Sequence, residues 1–219
     1  MVDQPMVVVR GEAVREVPPE LAVLSVTVSA RDKDRQTTLT RLTERAAELR
    51  TYLDEYPDAI ERRETGGVQI YPELKRGGER VSAYAGNATT TVTVTDFAVL
   101  GELLLRLGTI DQTSVSGPWW QLRPGSRAGA DVRREAITDA LQRAREYAEA
   151  VGARVDRLLE ILDDGTGGGG VPMVRAAKGF AAMEMSTGDG PELEIEPQHQ
   201  TVHAAVVVRV AITEPAALE

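Results

Sequence analysis

A segment rich in alanine, residues 128–161, constrains the fold of this chain more than any other feature. Its alanines recur at every fourth residue, and this spacing predicts a long helix that begins near Ala128 and ends at Gly152. An apolar run at residues 154–162 predicts a strand directly after the helix. We therefore expect a chain that combines long helices with strands. The recurring alanines are Ala136, Ala140, Ala144 and Ala148.

Alternating apolar and polar residues predict most of the other strands. Leu24, Val26 and Val28 fall on one face of a strand and serine or threonine on the other, which is typical of a sheet with one buried face. The polar, glycine-bearing segment 75–80 separates two such runs and predicts the turn of a long β-hairpin. The predicted strands are residues 6–13, 21–30, 67–74, 81–95, 113–122, 154–162 and 199–213.

Two further helices are predicted between these strands. A stripe of apolar residues at intervals of three and four predicts a long helix that ends at Tyr56 and Pro57. Asp96 is expected to cap a short helix that ends at Gly108. Residues 163–190 are rich in glycine and lack a sustained periodicity, so we interpret them as a mobile loop. The apolar stripe comprises Leu39, Leu42, Ala46, Leu49 and Leu53.

The order of these elements indicates the fold class. Helices and strands alternate without the strict βαβ rhythm of a doubly wound sheet. We therefore predict an α+β fold, in which a mostly antiparallel sheet is covered by two long helices and carries a long β-hairpin and a glycine-rich loop before the last strand. Because only 4% of the residues are aromatic, valine, leucine and alanine are expected to form the core.

The composition argues against several classes of function. The chain has no cysteine, which removes disulfides, thiolate nucleophiles and zinc–thiolate sites. A formal net charge of -9, without any run of lysine or arginine longer than two residues, argues against nucleic acid as a partner. The sequence as given shows neither an export signal nor a membrane span, so we expect a cytoplasmic protein; a periplasmic or exported location applies if a signal was removed.

The only two histidines, His199 and His203, are the first candidates for a metal or catalytic site. On a strand, residues four apart point to one face about 13 Å from each other, too far for one metal ion, so we interpret both as solvent-facing. Asp163 and Asp164 precede a glycine run that lacks the lysine of a P-loop and the spaced oxygen ligands of an EF-hand. No Gly-X-Ser-X-Gly motif is present. We therefore expect no enzyme activity, no cofactor and no metal ion.

Aromatic residues supply the candidate interface. Trp119 and Trp120 are consecutive in a predicted strand, so one indole is expected in the core and the other near a groove or an interface. The predicted hairpin has long arms and a segment lean in bulk at residues 84–86, and a hairpin of this kind often packs on another subunit. The predicted interface residues are Tyr71, Tyr84, Trp119 and Trp120.

Three segments of the chain, in this order, resemble the SIMPL-domain family, also called DUF541. Residues 7–13 together with 18–26 are similar to its first two strands and the proline-containing turn between them. Residues 134–161 are similar to its alanine-rich helix and following strand, and residues 202–210 to its closing strand. The resemblance implies a single domain over residues 1–219. The family includes bacterial periplasmic or outer-membrane antigens and a mammalian kinase-associated adaptor, and its members are implicated in oligomeric assemblies and stress responses.

The favoured hypothesis is a non-catalytic protein that assembles into a homo-oligomer or binds a protein partner. One alternative is a small-molecule-binding or hydrolytic domain, with residues 163–190 as a lid and Asp163, Asp164, His199 and His203 near its mouth. Another is a signalling adaptor that engages its partner through that loop. A closed concavity with convergent polar groups would favour the ligand-binding alternative, whereas a flat apolar patch along the hairpin would favour assembly.

Overall fold

The computed structural model of the chain describes residues 4–75, 78, 80–164 and 193–216. Within these ranges it contains seven strands in two antiparallel sheets and three helices, which confirms the predicted α+β class. Most of the loop predicted at residues 163–190 lies outside the described ranges. The elements are β1 (Met6–Val17), β2 (Leu21–Asp32), α1 (Arg35–Asp54), β3 (Ile60–Leu74), β4 (Val81–Val94), α2 (Leu100–Gly108), β5 (Thr113–Gln121), α3 (Arg127–Ala150), β6 (Val155–Asp163) and β7 (Gln200–Ile212).

Contacts between residues divide the chain into two compact units. The three-stranded unit comprises Met1–Pro18, Arg123–Phe180 and His199–Glu219, and its sheet has the order β1-β7-β6. The four-stranded unit comprises Pro19–Leu122 and Ala181–Gln198, and its sheet has the order β3-β4-β2-β5. The expectation of one sheet under two long helices is not confirmed, because the strands divide between two sheets and each sheet has its own helix cover. The single domain over residues 1–219 stays a prediction.

In the three-stranded unit, helix α3 packs across β1 and β7. The four recurring alanines of the helix are fully buried and form one apolar cluster with valines of the two strands. Side chains this small let the helix approach the sheet closely. One face of β7 is buried against this helix, since five of its side chains are at most 4% exposed. They are Val202, Val206, Val208, Val210 and Ile212.

In the four-stranded unit, β2 lies between β4 and β5. Leu24, Val26 and Val28 are fully buried in a core that includes residues of α1 and α2, as the alternation of β2 predicts. Of the five residues in the apolar stripe of α1, Leu39 and Ala46 are half-buried and the three others are buried. The helices therefore cover one face of this sheet, and we call the opposite face the outer face.

Short polar side chains cap the N-termini of α1 and α3. Asp34 caps α1, because its Oδ2 accepts a hydrogen bond from the backbone N–H of Thr37 at 2.7 Å. This hydrogen bond is the main reason why the pKa of Asp34 is lowered. Ser126 caps α3 in a similar way. Asp96 does not cap α2 as predicted: it accepts a hydrogen bond from the backbone N–H of Ala98, in the turn before the helix begins.

Strand β3 differs most from its predicted bounds, since it begins at Ile60 rather than at residue 67. The added residues are mostly charged and exposed, so they show none of the apolar alternation by which a strand is recognised. Their backbone is held in the sheet by pairing with β4, up to Ile60 opposite Val94. None of the helices in the described ranges combines the length and the apolar character needed to cross a bilayer.

Candidate interaction surfaces

The most exposed apolar surface of the four-stranded unit lies on its hairpin arm, which we define as residues 67–74 of β3 and 81–89 of β4. The two strands stay paired along the arm, from Gly67 opposite Thr89 to Leu74 opposite Val81. β3 is an edge strand, and no described strand pairs with its outer side. Four large apolar side chains of the arm are 45–59% exposed. They are Val68, Tyr71, Leu74 and Val81.

The two tyrosines of the predicted interface lie on opposite faces of the arm. Tyr71 pairs with Ala85, whereas Tyr84 pairs with Pro72 on one side and with Asp32 on the other. Because neighbouring residues in a strand point to opposite faces, Tyr84 points away from the face that Ala85 and Tyr71 share. Tyr71 is 48% exposed and Tyr84 is half-buried. The arm therefore presents one tyrosine on each face rather than a tyrosine pair.

The two tryptophans lie on opposite faces of β5, as their consecutive positions predict. Trp120 pairs with Ala22 on the helix-covered face and meets Phe97 edge to face, with ring centroids 5.0 Å apart and an interplanar angle of 79°. Trp119 pairs with Val23 on the outer face and is 49% exposed. Trp120 is thus half-buried against the core, and Trp119 is the indole available for a contact.

Trp119 and Tyr71 share the outer face of the four-stranded sheet, but they lie at its two ends. Their positions in the register differ by eight residues of β2, from Val23 to Arg31, which corresponds to about 27 Å. The sheet between them is rich in hydroxyl groups, and the Oγ1 atoms of Thr27 and Thr89 lie 2.9 Å apart. The hydroxyl-bearing residues of this face are Ser25, Thr27, Ser29, Thr89, Thr91, Thr93, Ser114 and Ser116.

Sequence reasoning missed a second exposed apolar surface, on β6 of the three-stranded unit. Leu158, Leu159, Ile161 and Leu162 are 41–50% exposed. The apolar run is visible in the sequence, but such a run is typical of a buried strand as well as of an exposed one. The position of β6 at the edge of its sheet is decided by its pairing with β7, about 45 residues further along the chain, and the local sequence carries no signal of it.

The structure does not bring the two histidines to one strand face. β7 begins at Gln200, so His199 precedes the strand, which corrects the expectation that both lie in it. His203 lies within β7, opposite Val14 of β1, and both histidines are exposed. Across the described residues, no group of three or more histidine, aspartate or glutamate side chains is placed to hold a metal ion.

The two aspartates of the ligand-binding alternative are also separated from His203. Asp163 pairs with Val206, whose side chain is buried on the helix-covered face, whereas His203 lies three positions earlier in β7 and points to the opposite face. Asp164 forms an ion pair with Arg10 at 3.0 Å. The described residues of this set therefore do not converge on one site.

The described part of the three-stranded unit also forms an open groove of about 470 Å³ beside β1. Its lining is mainly apolar and includes Met6, Val8 and Tyr147. None of the four residues predicted for the ligand-binding alternative lines this groove. A hydrolytic site normally encloses a few convergent polar groups, and this groove does not have that form.

A hydrogen-bonded network of titratable groups joins the C-terminal end of α1 to α2. The hydroxyl of Tyr56 donates to Glu102 at 2.8 Å and accepts from Arg106 at 2.9 Å, and Arg106 also donates to Glu55 at 2.7 Å. Burial raises the pKa of Tyr56, and the hydrogen bonds to Tyr56 and Glu55 raise the pKa of Arg106. Both groups stay in their usual charge states at neutral pH, so this network fixes two helices and offers no general acid or base.

Comparisons with known proteins identify a family but no activity. No match is found among curated proteins. A candidate amidohydrolase/peptidase from Burkholderia cenocepacia, known from a crystal structure, is 14% identical with a TM-score of 0.28. That likeness covers 62% of this chain and only 35% of the other protein, and it carries no argument about activity. The SIMPL model, a protein of unknown function (DUF541), matches residues 7–210, and the chain therefore belongs to the SIMPL family.

Proposed function

We propose that this protein is a non-catalytic assembly protein whose copies associate through the hairpin arm. The observation that carries this proposal is the exposure of Val68, Tyr71, Leu74 and Val81, each 45–59%, on a long edge hairpin. Exposed apolar residues scattered singly need no explanation, but four on one short arm favour a contact there, with Val68 on one face of the arm and Tyr71 on the other. Association would remove these side chains from water, and that burial is the main source of affinity in protein interfaces.

The two halves of β3 differ in a way that locates the contact. Its first half carries Arg62, Arg63 and Glu64, and charges on an edge strand oppose pairing with another strand. Its second half carries the apolar side chains of the arm and also Pro72, which has no N–H to donate to a new ladder. The proposed contact is therefore made by side chains of the arm rather than by adding a strand to β3.

The other edge strand of the same sheet, β5, is protected against the addition of a strand from another chain. β5 contains Gly117 and Pro118, and the register between β2 and β5 shifts at this point. Proline has no N–H to donate to a new ladder, so it discourages strand addition at this edge. Trp119 follows directly and is exposed, so it supplies a separate apolar contact at the other end of the outer face without offering a free edge.

The family resemblance supports the same proposal, since it implies oligomeric assembly and a place in stress responses. The alternative of a ligand-binding or hydrolytic domain has less support, because its four residues do not converge in the described part of the chain. We therefore favour a homo-oligomer over an enzyme.

Light scattering coupled to size exclusion tests the proposal on the full chain of 23.7 kDa. We expect a solution mass that is a multiple of this value and persists on dilution. Replacing Val68, Tyr71 and Leu74 together by serine should lower the mass, whereas Val14→Ser, at a site that is 59% exposed in the other unit, should not. A strict monomer at every concentration, or an unchanged mass in the triple variant, would overturn the proposal.

A further inference from the structure

Strand β6 is an edge strand that exposes apolar side chains on both of its faces. It pairs with β7 on one side, with two register shifts along its length, and no described strand pairs with its other side. Leu158 and Ile161 lie opposite Val210 and Val208, whose side chains face the helix, whereas Leu162 lies opposite Val207 on the other face. The exposed fractions of these three β6 side chains are 50%, 41% and 47%.

The position of α3 explains why β6 stays uncovered. The helix packs on β1 and β7 and makes few contacts with β6. Its buried stripe consists of alanines, which are too short to extend over a third strand. The apolar side chains at the β6 edge therefore have no cover within the described residues. Charged residues lie between these apolar side chains, but an exposed apolar edge still offers a surface that can pair with another chain.

The charges of β6 are distributed unevenly along the strand. Arg157 lies in its first part beside Asp156, and Arg154 directly precedes the strand. Glu160 and Asp163 lie in its second part, and Asp164 directly follows it. When two copies of such a strand pair antiparallel, the more basic part of each meets the acidic part of the other. A parallel pair would place like charges side by side, which is unfavourable.

Ion pairs within the chain do not prevent the charged side chains of β6 from pairing with those of a second copy. Arg157 contacts Asp156 at 3.4 Å and Glu160 contacts Arg209 at 2.7 Å, and the side chains of both pairs are 40–60% exposed. Exposed ion pairs contribute little to stability, so their side chains can re-orient towards a partner at small cost.

We propose that β6 pairs antiparallel with β6 of a second copy of this chain, so that two three-stranded sheets join into one continuous sheet across a two-fold axis. The inference rests on the proposed assembly function and adds a second contact, separate from the hairpin arm. The contact is isologous, with the same strand on both sides, and it closes after two copies. Together with the contact through the arm, it allows assemblies larger than a dimer.

Single cysteines test the geometry, because the chain has none of its own. In an antiparallel pair centred near Leu159, a cysteine at this position meets its own counterpart. A cysteine at Asp156 lies about 20 Å from its counterpart, beyond the reach of a disulfide. We expect Leu159→Cys to form a disulfide-linked dimer on mild oxidation, and we expect Asp156→Cys and the β1 control Val14→Cys to stay monomeric in denaturing gels.

A charged substitution supplies a second readout that does not depend on oxidation. Leu162→Glu, at a site that is 47% exposed, should leave the circular dichroism spectrum unchanged and should halve the solution mass. Equal cross-linking at all three cysteine positions, or none at Leu159 in a chain that is oligomeric, would overturn the β6 contact and leave the proposed function standing. A chain that is monomeric at every concentration would overturn both.

Discussion

Gly11 of β1 lies directly against Ala140 of α3, so closely that a Cβ on the glycine would be 2.6 Å from the Cβ of Ala140. Such a distance is well inside van der Waals contact, so no other residue fits at position 11 without a shift of the helix. The backbone of Ala136 also lies against the same point. The close approach of α3 to the sheet therefore depends on small residues on both sides.

Gly11→Ala should lower the free energy of unfolding by about 1–3 kcal/mol, because the added methyl group pushes α3 away from the strand. Urea denaturation followed by circular dichroism measures the change. Gly67→Ala is the matched control: this glycine also lies in a strand but has no atom within 4 Å of the added methyl group, and its variant should stay within about 0.5 kcal/mol of the wild type. A Gly11 variant as stable as the control would contradict the close approach.

The two tryptophans should respond differently to truncation. Trp120→Ala removes the edge-to-face contact with Phe97 and leaves a cavity at the core, so we expect a loss of about 3 kcal/mol in the free energy of unfolding. Trp119→Ala removes an exposed side chain and should cost less than about 1 kcal/mol, while it weakens self-association. Thermal unfolding at one protein concentration, combined with the solution mass of each variant, separates the two effects. Equal losses of stability would show that the indoles are not divided in this way.

The cap of α1 should make stability depend on acid pH. The pKa of Asp34 is lowered from 3.8 in the folded chain, so the charged cap stabilises the fold above pH 3.8, and this stability is lost as the pH falls through the lower folded-state pKa. Asp34→Asn keeps a hydrogen-bond acceptor at the cap but cannot titrate. The difference in thermal unfolding temperature between wild type and Asp34→Asn should therefore shrink as the pH falls below about 4. A difference that is constant from pH 7 to pH 3 would contradict the role of the carboxylate.

Gly101 in α2 leaves room for the segment 193–198, which passes close to the helix at Leu193. A Cβ there would lie 3.1 Å from the carbonyl carbon of Leu193, and closer still to its oxygen. Gly101→Ala should therefore loosen residues 193–198 even though alanine favours the helix, and limited proteolysis should cut this segment at least several-fold faster. Gly129→Ala in α3 meets only the end of a flexible arginine side chain and should leave the proteolysis pattern unchanged. Equal cleavage of the two variants would refute the contact.

The sequence predicts individual elements of this fold better than their partners. The alternation in β2 and the alanine spacing in α3 depend on residues that are near each other in the chain, so both elements are predicted together with the faces that they bury. The division into two sheets depends instead on pairings such as Met6 with Ala211, which local periodicity does not encode. For this reason the sequence predicts the strands but not their division between two sheets.

The same limit applies to the candidate interface. The opposed faces of Trp119 and Trp120 follow from strand alternation alone, and the structure has this arrangement. The placement of Tyr71 and Tyr84 on opposite faces depends on the register between β3 and β4, which includes three irregularities that no sequence pattern signals. Leu158 and its neighbours on β6 were missed because an apolar run does not show whether its strand is central or at an edge.

Because β1 pairs with β7, the sheets of the two units are completed at different times during synthesis. β1 leaves the ribosome before the other described strands, yet its partner along all of Met6–Val17 is β7, which comes last among them. At typical rates of elongation, roughly 10–40 s separate the appearance of the two strands. The strands and helices between residues 19 and 122 are complete within the first part of this interval and can fold as nascent chain. β1 must wait with its apolar side chains uncovered, so truncation or stalling before β7 would leave a folded four-stranded unit attached to an unpaired, aggregation-prone strand.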